Sequence, residues 1–200
     1  MDCPPHQACV DIPRSTLVGG AYRSFAAFRA VLCPGVVSHP KPSIRSAAAA
    51  DLPVIANLIR ELARYERLAD QVALEEKALR RHLFGKRPYA EVLLSSEKDA
   101  VTGFALFFHT FSTFLAKPSL YLEDLFVRPE HRGKGHGRAL MVKLAQLAIR
   151  RGCGRFEWAV LDWNAPSIAF YRSIGAMPMD DWTVFRLTGS RLEALAKDRR

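Results

Sequence analysis

The sequence is short of cysteine, of long apolar runs and of dense positive charge. It has four cysteines in 200 residues, at Cys3, Cys9, Cys33 and Cys153. No two form a Cys-x-x-Cys pair, and no histidine spacing completes a zinc site. Free thiols in a reducing, cytoplasmic compartment are therefore expected, and no metal. No apolar stretch approaches the ~20 residues that span a bilayer, so no transmembrane helix or membrane partner is expected. Lysine and arginine outnumber the acids 29 to 20, a formal net charge of +9. The arginines are scattered, with pairs at Arg80-Arg81, Arg150-Arg151 and Arg199-Arg200. That pattern favours general surface charge plus one anion site over a nucleic-acid track, so no nucleic-acid partner is expected.

What is present reads as one folded domain. Hydrophobic residues make up 49% and charged residues 24%, ordinary values for a globular chain. Residues 1–42 stand apart. They hold Pro4, Pro5, Pro13, Pro34, Pro40 and Pro42, and only Asp2 and Asp11 as acids. They are expected to form a poorly ordered extension without catalytic content, with a short apolar helix possible over Tyr22 to Leu32. An Arg-containing, acid-poor start also resembles a transit peptide.

From Ser43 to about residue 196 the text is regular. A short strand at Ser43-Ile44-Arg45 precedes Asp51, a good N-cap with Pro53 in the first turn. Leu52, Ile55, Leu58, Ile59 and Leu62 then keep helical spacing. Leu74 to Leu83 is a second amphipathic segment. Strands are predicted over Glu91 to Ser95, Thr102 to Thr110, Leu120 to Val127, Phe156 to Leu161 and Thr183 to Leu187. Helices are predicted over Ala139 to Arg150 and from an Asn164 cap to near Gly175. The order β, α, α, β, β, β, α, β, α, β implies an α/β fold with a central mixed sheet.

The richest segment is Arg132-Gly-Lys-Gly-His-Gly137, between an apolar strand and an amphipathic helix. Glycine lets backbone N–H groups converge without a Cβ in the way. The helix start adds its positive end, which suits a pyrophosphate. Arg132 and Lys134 add charge. The spacing fits neither a Walker loop nor a dinucleotide fingerprint. A flexible glycine turn is the competing reading.

Arg-Gly-x-Gly-x-Gly after a strand ending in Phe-Val resembles the acetyl-CoA loop of the GNAT acetyltransferases. Tyr121-Leu-Glu-Asp-Leu-Phe-Val127, Trp163-Asn-Ala-Pro-Ser-Ile-Ala-Phe-Tyr171 and Arg64-Tyr-Glu-Arg67 are similar to the spermidine/spermine and thialysine branch of that family. The resemblance covers roughly residues 43 to 196. It implies the GNAT fold, a mostly antiparallel sheet flanked by helices, with acetyl-CoA as co-substrate and no metal. It further implies donor contacts at Leu125, Phe126, Val127, Arg132, Gly133, Lys134, Gly135, His136, Gly137 and Arg138. Asn164 would bind the pantetheine arm, together with Ala165, Pro166 and Ser167. The related enzymes are commonly homodimers.

Acetyl transfer to an amine needs a base, because an ammonium has no lone pair. Glu123 and Asp124 interrupt an apolar strand, and adjacent strand residues face opposite ways. A semi-buried carboxylate with a raised pKa could take the proton, directly or through water. The alternative is an ion-paired structural carboxylate. The resemblance gives the base to Glu123 and a substrate contact to Asp124. Tyr171 lies seven residues after Asn164, about two turns along the same helix. A phenol can protonate the departing thiolate, and the resemblance makes Tyr171 the general acid; the competing role is aromatic packing. Transfer would then be direct, in a ternary complex. Cys153 has no base fixed near it by sequence, so no acyl-cysteine step is expected.

The resemblance puts Tyr65, Glu66, Glu157, Trp158, Asp180 and Trp182 around the acceptor. Acidic and aromatic groups suit a small cationic amine. One departure bears on its length. Polyamine acetyltransferases carry an acidic residue and a tryptophan before the Leu-Glu-Asp strand, whereas this chain has Phe111-Ser-Thr-Phe114. A shorter diamine or a thialysine-like acceptor is favoured over a long polycation. Two other readings stay open from sequence: an acetyltransferase of protein lysines or N-termini, and an acyl-CoA-binding regulator without turnover.

Overall fold

The computed structural model describes residues 41–198. The expected N-terminal extension, its Tyr22–Leu32 helix and Cys3, Cys9 and Cys33 lie outside the described residues. Five strands, β1 (Ser43–Ser46), β2 (Glu91–Glu97), β3 (Ala100–Ser112), β4 (Lys117–Val127) and β5 (Arg155–Trp158), form one sheet in the order β1-β2-β3-β4-β5. Three pairings are antiparallel and only β4 with β5 is parallel. The expected mixed, mostly antiparallel sheet is therefore present.

Alternation along the strands builds two cores. Helices α1 (Leu52–Tyr65) and α2 (Glu76–Phe84) cover one face. There Ile55, Leu58, Leu62 and Leu83 meet Val92, Leu94, Phe104 and Phe126. Helix α3 (His136–Arg150) covers the other, packing Leu140, Met141, Leu144 and Ala148 on Leu93, Ala105, Phe107, Leu120 and Leu122. Helix α4 (Ala165–Ser173) adds Phe170 and Tyr171 to that side. Phe104 and Phe107 are fully buried on opposite faces, each contributing about 1.5–3 kcal/mol of burial. No helix among the described residues is long and apolar enough to cross a membrane.

Two β-bulges break the alternation. In β3, Ser95 pairs with Gly103 but Ser96 pairs with Val101, leaving Thr102 as the extra residue. In β4, Phe107 pairs with Leu122 but Leu106 pairs with Asp124, leaving Glu123 extra. Before the second bulge, Leu120 and Leu122 face α3; after it, Leu125 and Val127 do. Phe126 is thereby turned to the α1 face, and Asp124 with it. A bulge re-aims every side chain that follows it.

Two expectations are corrected. Thr183 to Leu187 is no strand; it pairs with nothing in the sheet. The parallel β5 stops at Trp158, and Val184 and Phe185 stay exposed, so within one chain the segment has no ladder to join. A helix, α5 (Gly189–Ala196), follows it instead. Asp51 precedes α1 but makes no side-chain cap to it. Its carboxylate turns back to accept from the Ala48 N–H at 2.7 Å and to pair with Arg45 at 2.7 Å. Those partners depress the Asp51 pKa to about 2, the Arg45 hydrogen bond first.

Candidate active site

The glycine loop leaves β4, passes a single 3₁₀ turn at Pro129–His131 and enters α3. Gly133 and Gly135 have φ of 73° and 88°, values that need glycine. A Cβ at either would meet open space, so the demand is conformational rather than steric. Arg132 donates from Nε to the Val127 carbonyl at 2.9 Å, and its guanidinium lies 4.4 Å over the Tyr65 ring. Lys134 is half-buried and Arg138 exposed. The His136 ring, in contrast, is 1% exposed and points inward to Ser95 and Thr102. Toward an anion in the loop, His136 offers its backbone N–H at the start of α3 rather than its ring.

Strand β4 pairs with β5 only from Ser119 to Leu122 but runs on to Val127. Among the described residues its backbone from Glu123 to Val127 has no ladder partner on that side. This opening lies beside Asn164, whose Oδ1 accepts from the Ser167 N–H at 3.3 Å and from the Tyr65 hydroxyl at 3.4 Å. Asn164 thus caps α4, with Ala165 and Pro166 in its first turn, and ties it to the end of α1. Tyr65 also packs against Trp163 at 6.1 Å. Phe126 is buried, so only its backbone borders the opening, whereas Leu125 and Val127 are half-buried.

A cavity of about 200 Å³ lies under α1, lined by Ile59, Leu62, Ala63, Glu66, Leu68, Gln71, Val72 and Asp124. The bulge at Glu123 delivers Asp124 to it. Burial pushes the Asp124 carboxyl up to about 7, with the charges of Glu123 and Glu66 adding to the effect. Burial also raises Glu66. Tyr171 packs on Trp158 at 5.1 Å and on Phe170 at 5.4 Å. Burial, then the Glu66 charge, push its phenol up to about 12, so it carries its proton at neutral pH. Glu66, Asp124 and Tyr171 thus share one electrostatic neighbourhood.

Other expected residues are not brought there. Glu123 is exposed on the bulge; its charge and that of Glu157 act on Tyr121, secondary to burial. Glu157 pairs with Arg155 at 3.3 Å. Asp180 and Trp182 are exposed and do not line the cavity. Phe111 and Phe114 sit at the far end of the β3–β4 hairpin. Phe111 pairs with Pro118, six residues and about 20 Å along the strand from Asp124, so one chain cannot bring that turn to the cavity.

Sequence reasoning missed the apolar lining at Ile59, Leu68 and Val72, and the grouping of Glu97 and His131 with His136. For Asp124 a signal existed. The apolar alternation Leu120, Leu122 resumes one place late at Leu125, Val127, which is how an inserted residue reads.

Comparison with known proteins is consistent with this geometry. Residues 55–176 match the family described as Acetyltransferase (GNAT) family. The chain is 38% identical to a thialysine N-epsilon-acetyltransferase of Bos taurus, over 76% of this chain and 96% of that protein. It is 33% identical to the L-ornithine N5-acetyltransferase NATA1 of Arabidopsis thaliana, over 77% of this chain and 87% of that one. A solved integron cassette protein from the mobile metagenome of V. cholerae superposes with a TM-score of 0.67 at 33% identity, over 78% and 98% of the two chains. Similarity of this extent, running through the loop, the splayed strand and α4, means that the chain belongs to the GNAT family and is an acetyltransferase.

Proposed function

We propose that the protein moves an acetyl group from acetyl-CoA to a primary amine of a small cationic molecule, of diamine, ornithine or thialysine type, by direct attack in a ternary complex. The observation that carries this is the cavity in which Asp124 and Glu66 sit together, with the Glu66 charge reaching Tyr171. Its volume, about 200 Å³, lies below the usual ~300–1,000 Å³ of ligand sites, which favours a short amine arm over a polypeptide or a long polyamine. The curated relatives that act on thialysine and ornithine point the same way.

Two acidic groups attract an ammonium, and one of them must then remove its proton. The resemblance gives that role to Glu123. The cavity geometry supports Asp124: it faces the acceptor space, and a carboxylate held near 7 exchanges protons at neutral pH. The amine would attack the thioester held along the open edge of β4, where Leu125 to Val127 offer backbone groups. Tyr171 faces a thiol of ordinary pKa near 8.5, so a phenol at about 12 would give up its proton uphill by about 5 kcal/mol. A bound ammonium relieves this by cancelling the Glu66 charge that helps to raise the phenol. The loop 132–137 would hold the pyrophosphate on backbone N–H groups, with Lys134 and Arg138 adding charge.

A homodimer fits this reading. Trp182, Val184 and Phe185 are exposed at 73%, 84% and 92%, and a run of that kind marks a contact surface. A second copy would supply Asp180, Trp182 and the Phe111–Phe114 turn, which one chain leaves away from the acceptor.

The test is thiol release from acetyl-CoA by the purified chain against putrescine, spermidine, ornithine, lysine, thialysine, an aminoglycoside and a lysine peptide. Turnover is expected with the short amines. Absence of turnover with every small amine, or preference for the peptide, overturns the proposal.

A further inference from the structure

One buried polar atom is unexplained by the acetyl-transfer site. His136 Nε2 is enclosed and makes no hydrogen bond among the described residues. The other ring nitrogen is well served. Nδ1 lies 2.7 Å from Ser95 Oγ and 2.9 Å from Thr102 Oγ1, and the two hydroxyls are 2.8 Å apart. The Thr102 hydroxyl also donates to the Ser95 carbonyl at 3.1 Å. That carbonyl is the one acceptor in the group that brings no proton of its own. If Thr102 donates to it, Ser95 can donate to Thr102, and His136 Nδ1–H can donate to Ser95. Every member is then satisfied, and the proton lies on Nδ1. Nε2 is left with a bare lone pair.

That lone pair faces an acid and a second imidazole. Glu97 Oε2 is 4.0 Å from His136 Nε2 and 3.0 Å from His131 Nδ1. The ligand atoms of the three residues all lie within 4.8 Å of one another. Glu97 and His131 are largely shielded and keep some access to solvent, with side chains 18% and 20% exposed. The His131–Glu97 pair accounts for those two residues but not for His136. We propose that Glu97, His131 and His136 form a site for a divalent transition-metal ion of the zinc type, a staple that pins both ends of the 132–135 loop to the end of β2.

The chemistry of the donors agrees. Two imidazole nitrogens and one carboxylate oxygen are a zinc ligand set with a fourth position open to water. Bonds of about 2.0–2.2 Å place tetrahedral ligands about 3.3 Å apart, so the 4.0 Å between Glu97 Oε2 and His136 Nε2 closes by about 0.7 Å, and no separation among the three, each within 4.8 Å, has to close by more than about 1.5 Å. The hydroxyl chain through Ser95 and Thr102 is the outer shell that holds a ligating histidine in one tautomer. The charge of Lys134 falls on both Glu97 and His136 and opposes a bound cation, so the donor atoms must outweigh it. His131 and His136 flank Arg132-Gly-Lys-Gly135, so an ion between them fixes the loop's two ends against Glu97. The site stands whether or not the loop binds acetyl-CoA.

The full chain, freed of metal by chelation, is titrated with Zn²⁺ by calorimetry and with Co²⁺ by visible absorption. One ion per chain is expected, with a dissociation constant of about 10 μM or tighter, and with the intense bands of a four-coordinate Co²⁺ site. Glu97→Gln and His131→Ala, both at partly exposed positions, should each weaken binding at least about tenfold, and Thr102→Val by about tenfold through the outer shell. Zn²⁺ should slow amide exchange across residues 132–135 in the parent chain and not in Glu97→Gln. Weaker uptake than this, or uptake that both ligand variants retain through cysteines or other histidines, overturns the site. Metal binding without slower exchange in the loop overturns the staple. Neither outcome bears on amine acetylation, which is read separately by thiol release.

Discussion

The two halves of the proposed site are built to different standards. On the donor side, every element is fixed within one chain: α3 and α4 pack on the sheet, Asn164 ties α4 to Tyr65, and Arg132 stacks on that same ring. Beyond Ala176, every residue up to Asp198 is exposed, although the segment carries Met177, Met179, Trp182, Val184 and Phe185. A chain of this composition would bury those groups if it had a surface of its own to receive them. The difference supports the proposal that one copy completes the donor half and a second copy finishes the acceptor half by contact.

That contrast can be broken most forcefully at Tyr171. Tyr171→Phe should lower turnover by about 100-fold or more while acetyl-CoA affinity, measured by calorimetry, changes little. An equal loss in both would make the hydroxyl part of donor binding. Asp124→Asn should follow, with about a tenfold or greater loss of kcat/KM at pH 8. In the parent enzyme, activity should rise with pH through about 7 as Asp124 ionises, and the variant should lose that limb. If Glu123→Gln removes the limb and Asp124→Asn keeps it, the base is Glu123.

The same carboxylate ties activity to stability. Its folded pKa is raised above the unfolded value, so its contribution is fully present below about 4 and is lost as pH rises through about 7. Asp124→Asn should therefore raise the thermal midpoint at pH 8 and leave it unchanged at pH 3.5. Phe185→Asp tests the acceptor side more gently. It should weaken self-association by about 2 kcal/mol, roughly 30-fold, by sedimentation, and raise KM for the amine without moving KM for acetyl-CoA. The smallest effect belongs to Asp51, whose pair with Arg45 is partly exposed. Asp51→Asn should cost at most about 1 kcal/mol. The contribution is present above the unfolded pKa and fades as pH falls through about 2, which acid titration of both proteins will reveal.

The elements were legible where periodicity was long. Leu52 to Leu62 and the strands at Thr102 to Thr110 and Leu120 to Val127 follow from spacing alone, and Asn164 caps its helix as its chemistry requires. Thr183 to Leu187 misled because alternation reports a side that wants burial, not whether a partner strand lies within reach. Asp51 misled because Arg45, six residues earlier, competes for its carboxylate. Within the site, residue types could be read but not their directions. His136 looked like part of a cradle, yet the hydroxyls of Ser95 and Thr102, 41 and 34 residues away in sequence, hold its ring inward.

The bulge at Glu123 carries a consequence for how such a strand can change. In an unbroken ladder, odd and even positions belong to different layers, and a carboxylate at position 124 would share its layer with Leu120 and Leu122. The extra residue swaps the parity of all that follows. Drawing Glu123 into a regular ladder would return Asp124 to the side of Leu140 and Leu144 and send Val127 in the opposite direction, whereas deleting Glu123 would close the bulge and leave both where they face now. Which carboxylate this strand turns toward α1 is therefore set by where the ladder skips a residue as much as by residue types: an unbroken strand with the same letters would present Glu123 there in place of Asp124.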